Sequence, residues 1–204
     1  MGEIIPFNNR GHRARLREAQ LRGELVRLWR GKLEHGSFCG YVAAVGREFV
    51  LLWVVGDSIG YDGLYAMRHS DITELEAPEQ HHRFVERSLA LRGIKPVLPD
   101  GFPLDDIKQV VRAAAQAAPV IGVHVDSEDE SEVCYIGRLL ELEDDGFNLQ
   151  EITPDAEWLT EPSFFAWDEV STVSFDEPYA QALCGVAGQS PAMAQGGPGV
   201  GRAH

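Results

Sequence analysis

Apolar and polar positions change period several times along this chain, and the changes mark its elements. Over residues 104–117, Ile107, Val110, Val111 and Ala114 fall three and four apart, the spacing of one buried helix face. Pro103 suits a first helical turn, Asp105 and Asp106 complement the helix dipole, and Pro119 stops the run. A weaker helical pattern covers 12–22. After each helix the period shortens toward two. "VIGVHVD" (120–126) sets Ile121, Val123 and Val125 on one face. "VCYIGRLLELE" (133–143) alternates, but both of its apolar sets are interrupted, as expected where a long strand bends. "DDG" (144–146) predicts a hairpin turn with Gly146 at positive φ, and "FNLQEI" (147–152) the strand beyond it. "SFFAWDEV" and "STVSF" (163–175) complete the strands, and "YAQALCGVA" (179–187) adds a closing helical turn.

The first half reads in the same order. With Gly40 placed on Gly137, Val42 meets Leu139 and Val45 meets Leu142. One added residue in the second turn then puts Phe49 on Phe147, Leu51 on Leu149, Ile72 on Val170 and Leu75 on Val173. Working backwards, "LVRLWR" (25–30) falls on "GVHVDS" (122–127). A repeat this long is no solenoid and reads as a tandem duplication. The boundaries follow: a first unit over 1–93, a Pro/Gly linker over 94–103, a second unit over 104–187, and a Gly/Pro/Ala-rich tail over 188–204 expected to be disordered. Five short hairpin-linked strands behind a helix predict a small closed barrel in each unit, which would hide the strand edges. The expected class is mainly β with short helices.

Composition narrows the setting. The longest apolar stretch, "FVLLWVV" (49–55), is strand-length, so no membrane helix is expected. The segment "MGEIIPFNNRGHRARLR" has its apolar residues before its charges, the reverse of a secretory signal, and the expected compartment is the cytoplasm. Cys39, Cys134 and Cys184 are too scattered for a disulfide framework or a zinc knuckle. The net charge of −14 is uneven: residues 1–93 hold 13 Lys/Arg against 12 Asp/Glu, and the remainder 5 against 20. An acidic second half repels phosphate backbones. Only the Arg-rich 10–30 segment, with Arg10, Arg13, Arg15 and Arg17, offers a nucleic-acid contact.

A helix followed by five strongly bent strands resembles the Sm-like fold, a small SH3-type barrel. The residues carrying the likeness are "YIGRLLELEDDGFNLQEI" and "FFAWDEVSTVSF", with counterparts at 40–55 and 64–76. The resemblance implies two tandem barrels, ring-type association and RNA binding through an Arg-Gly or Lys-Gly turn. "FAWDEVSTV" and "YAMRHSDITEL" lack that turn, which disfavours RNA as the partner.

Candidate chemistry is sparse. "DSEDESE" (126–132) alternates acids but lacks the glycine and the distant glutamate of a calcium loop, and reads as a solvated hairpin tip. In "EHGSFC" (34–39), His35 and Cys39 would lie about 13 Å apart on a strand, too far for a direct nucleophile–base pair. His69 and His124 read as partly exposed strand residues, and "HHR" (81–83) lacks a third ligand. No catalytic residue, metal site or cofactor is expected. The long loops "GDSIGYDGLY" (56–65) and "TPDAEWLTEPSFF" (153–165) carry Ile59, Tyr61, Trp158 and Leu159, either as partner-binding anchors or folded back as lids. The expected role is a non-enzymatic adaptor that engages a protein partner or further copies of itself.

Overall fold

The computed structural model describes residues 3–6, 9–31, 36–125 and 133–191. The first half runs β1 (Glu3–Pro6), α1 (Asn9–Arg22), β2 (Leu25–Trp29), β3 (Ser37–Val45), β4 (Phe49–Val55), β5 (Tyr61–Arg68), β6 (Glu74–Ala77) and α2 (His82–Leu91). The second runs α3 (Ile107–Ala117), β7 (Ile121–Val125), β8 (Val133–Leu142), β9 (Gly146–Glu151), β10 (Ser163–Ala166), β11 (Val170–Phe175) and α4 (Pro178–Ala187). The molecule is mainly β, with four helices among the described residues. Asp106, rather than Pro103, starts α3. Its carboxylate accepts from Lys108 N at 2.7 Å and Gln109 N at 3.4 Å, satisfying two amides that the first turn leaves free.

The eleven strands of the described residues join one antiparallel sheet in the order β1-β6-β2-β3-β4-β5-β11-β7-β8-β9-β10. This corrects the expectation of two closed barrels with hidden edges. Neither half closes on itself. Instead β5 lends its outer edge to β11, with Leu64–Met67 along Thr172–Phe175. The pairing satisfies the backbone groups of two edges at once and leaves a single open sheet.

The two halves repeat one another in register. Both central hairpins carry a bulge at the same step, between Val42 and Ala44 and between Leu139 and Glu141. Gly40 pairs with Val54 and Gly137 with Glu151; Val50 pairs with Val45 and Phe147 with Leu142. Every one of these positions is 97 apart, so no residue is added in the second turn. Phe147 takes the place of Val50, not of Phe49. The slip lies earlier: Val26 faces Gly40 across 14 residues and Ile121 faces Gly137 across 16. Ile121 therefore corresponds to Val26 and Val123 to Leu28. The expectation for Gly146 also changes. It does not sit at positive φ, and a Cβ there would come within 2.2 Å of the Phe165 carbonyl oxygen. Glycine is needed for the close approach of a neighbouring strand.

Two apolar cores flank β4. Leu16 and Ala19 of α1 cover Val26, Leu28, Val50, Leu52, Ile72 and Leu75. On the opposite face, Phe49, Leu51 and Trp53 belong to the same core as Ile121, Val123, Phe147, Leu149 and Val173, beneath Val110, Val111 and Ala114 of α3. "FVLLWVV" is apolar throughout because β4 is buried on both faces. The connection between the halves is fastened as well: Leu104 is buried, and its carbonyl accepts from Phe49 N at 3.0 Å.

Candidate functional site

The junction of the two halves builds a hollow of about 490 Å³. Trp53 pairs with Leu64, and a bulge in β5 between Leu64 and Tyr61 brings Tyr61 to the same side of the sheet; these line it together with Ile94, Lys95, Val97 and Pro99 of the connecting segment. The Trp53 and Tyr61 rings stack with centroids 4.8 Å apart and planes 26° apart. The Tyr61 hydroxyl donates to Asp176 Oδ2 at 2.7 Å, and the other carboxylate oxygen accepts from Gln181 Nε2 at 2.6 Å. Burial, and then the hydrogen bond to the Asp176 carboxylate, hold the Tyr61 phenol protonated well above its usual range. Arg92 donates to the Ser58 and Ile59 carbonyls at 2.8 and 2.6 Å, which ties α2 to the turn that precedes Tyr61. The result is a largely apolar, aromatic-walled recess with the fixed Asp176 carboxylate and Lys95 as its charged groups, a composition suited to holding an apolar group.

A polar seam runs beneath it through β5, β11 and β7. His124 Nε2 lies 3.1 Å from Ser174 Oγ, and Ser171 Oγ donates to the His124 carbonyl at 3.1 Å. Arg30, fully buried, donates to Thr172 Oγ1 and stands 5.2 Å over the Phe38 ring. Glu177 is buried, and its Oε1 has no hydrogen-bond partner. Desolvation raises its carboxyl, while hydrogen bonding from Ser174 and the charge of His124 pull the other way. Gly63 and Gly122 make room for this group: Cβ atoms there would come 2.6 Å from Glu177 Cγ and 2.2 Å from Ser174 Oγ. A serine beside a histidine is the start of a nucleophile–base pair. Ser174 has no exposed surface, however, so its hydroxyl meets no substrate in this conformation and serves to join strands.

The four residues expected to anchor a partner are not brought into one site. Ile59 is half-buried in a turn at φ 53°, and Tyr61 lies in β5, folded over Trp53. Leu159 lines a different hollow of about 300 Å³ with Cys134, Tyr179 and Leu183. Trp158 forms an isolated bridge with Ile152 and donates through Nε1 to the Gly188 carbonyl at 3.2 Å. Of the arginines, Arg10 falls in α1. Arg13 donates to the Gly46 carbonyl at 3.2 Å, and Arg15 to Glu24 at 2.6 Å and the Ala77 carbonyl at 2.7 Å. Arg17 is exposed. Both Arg13 and Arg15 therefore brace α1 against the sheet.

His69 and His124 are buried rather than partly exposed. Burial pushes the Cys39 thiol up to about 11, with Arg27 opposing, which disfavours a thiolate. His35 and the acidic run 126–132 lie outside the described residues. Among the described residues no group of three or more His, Cys, Asp or Glu could hold a metal ion, and no helix is long and apolar enough to cross a membrane. Trp53, Val97 and Asp176 were not legible as site residues. The available signal was the apolar content of the linker, where Ile94, Val97 and Leu98 sit among prolines. Comparison with protein-family models, with curated proteins and with solved structures finds no match.

Proposed function

We propose that this chain is a non-enzymatic binding protein, an adaptor of two Sm-like/SH3-like units that receives an apolar side chain of a protein partner in the hollow between them. The observation that carries the reading is the hollow floored by the stacked Trp53–Tyr61 pair, with Trp53 buried, Tyr61 half-buried and anchored by Asp176, and the exposed Val97 at its mouth. Aromatic-lined recesses of about 300–1,000 Å³ at the junction of structural units are common binding sites, and large aromatic contacts carry much of the energy of protein interfaces. The two-unit reading draws on the repeated order of a helix followed by five strands, with matching bulges in the central hairpins. An RNA-binding role has less support, because Arg13 and Arg15 are spent on contacts within the chain.

Val97 is 78% exposed, so Val97→Asp puts a charge at the mouth of the hollow without disturbing the core. The tagged chain should recover a stoichiometric protein companion from its own cells. Val97→Asp should reduce that recovery about tenfold, the equivalent of ~1.4 kcal/mol, and Arg17→Glu should leave it intact. Equal recovery by wild type and Val97→Asp would remove the hollow from the account. Salt-sensitive RNA binding lost in Arg17→Glu would put the RNA reading in its place.

A further inference from the structure

The pairing that joins the two halves leaves the same two kinds of edge at the ends of the sheet. At the junction, Tyr65, Ala66 and Met67 of β5 face Ser174, Val173 and Thr172 of β11. Register fixes their counterparts. Leu28 pairs with Leu75 where Val123 pairs with Val173, so Glu74–Ala77 of β6 stands where Thr172–Phe175 of β11 stands. Val50 pairs with Met67 where Phe147 pairs with Phe165, so Ser163–Phe165 of β10 stands where Tyr65–Met67 of β5 stands. Among the described residues β10 ends the sheet with only β9 beside it, and Phe164 on it is 47% exposed. A short strand with an open edge and an exposed phenylalanine is ready for further pairing.

The matching edge of β6 is occupied by β1. Glu3, Ile4, Ile5 and Pro6 face Ala77, Glu76, Leu75 and Glu74, antiparallel. Those are the four residues that correspond to the β5-binding stretch of β11. β1 therefore holds on the first half the position that β5 holds on the second. Its grip is short: four residues, one of them a proline without an N–H to donate.

We propose that β1 is a detachable cap, and that its release lets β10 of a second copy of this chain pair with β6 by the geometry of the internal junction. In that pairing Phe165 faces Glu74, Phe164 faces Leu75 and Ser163 faces Glu76 of the neighbour. The contact is head-to-tail, so each added copy leaves one open β10 and one open β6. The cap is what keeps the chain from extending.

Replacing Ile4 and Ile5 together by proline in the full chain removes two donors from β1. Analytical ultracentrifugation should find wild type at 22.5 kDa and the double-proline variant in whole multiples of it, increasing with concentration. Adding Phe164→Pro should return the variant to a single chain. Phe164→Lys, at an exposed position, gives the same reading if the proline disturbs folding. Circular dichroism of each variant separates ordered assembly from misfolding. A double-proline variant that stays monomeric at every concentration overturns the proposal. So does assembly that persists with both Phe164 variants, or wild type that assembles to the same extent as the double-proline variant. None of these variants touches Val97, so the outcome is independent of the hollow.

Discussion

His69 shows how one buried side chain sets a pH dependence. It follows β5 in a single 3-10 turn, 5% exposed, with Nε2 at 3.3 Å from the Gly46 carbonyl and Nδ1 without a partner. Burial lowers its pKa from 6.5 to about 4; the Gly46 hydrogen bond opposes this, and the charges of Arg13 and Arg17 add to it. The unfolded chain therefore takes up the proton first. The stability that neutral His69 gives is complete above pH 6.5 and is lost as the pH falls toward 4. Denaturant titrations of wild type and His69→Gln across that window should diverge by up to about 3 kcal/mol, wild type losing more. Parallel curves would mean that His69 ionises in place. Nothing in the sequence marked this burial. "RHSDIT" reads as the end of a strand, and the turn that tucks the ring under Gly46 depends on a carbonyl 23 residues away. Tyr61 belongs to β5 rather than to a long loop for a related reason. "GDSIGYDG" looked like one long loop, but the chain reverses within Gly56–Gly60, where Ile59 takes positive φ, and the strand resumes at Tyr61.

At the scale of elements, the central hairpins were the most legible part. A glycine, an interrupted apolar alternation and a turn signal stand in both β3–β4 and β8–β9, and both strand pairs form with their bulges at equivalent steps. The shared glycines have a common physical role. A Cβ on Gly40 would come 2.3 Å from the Trp53 carbonyl oxygen, and one on Gly137 2.4 Å from that of Gln150. Backbone atoms cannot rotate away, so the strands would have to part. Gly40→Ala and Gly137→Ala should each destabilise the chain by about 1–3 kcal/mol, measured by denaturant unfolding. A neutral effect at either position would show that the hairpin bends more freely than the register implies. The strand before each hairpin differs by two residues from the offset that its apolar pattern suggests, Ile121 rather than Val123 standing where Val26 stands. Its alternation is too short to fix register, and only the pairing of Val26 with Gly40 and of Ile121 with Gly137 does so.

At the scale of the whole molecule, the five strands behind each of α1 and α3 were legible in order, but β1 and the choice between closing two sheets and sharing one were not. That choice rests on edges, and an edge residue such as Ala66 or Val173 looks the same in sequence whether it faces solvent or another strand. Sharing β5 with β11 has two consequences. It creates the aromatic hollow, because Asp176 at the end of β11 reaches Tyr61 at the start of β5. It also leaves β10 open at one end of the sheet and β1 over β6 at the other.

The binding role at that junction is the central claim, and amide hydrogen exchange on the complex recovered from cells tests it most directly. Backbone amides over residues 59–64 and 94–98 should gain protection when the partner is bound, with α1 unchanged. Protection confined to α1, or none around the hollow, would contradict it.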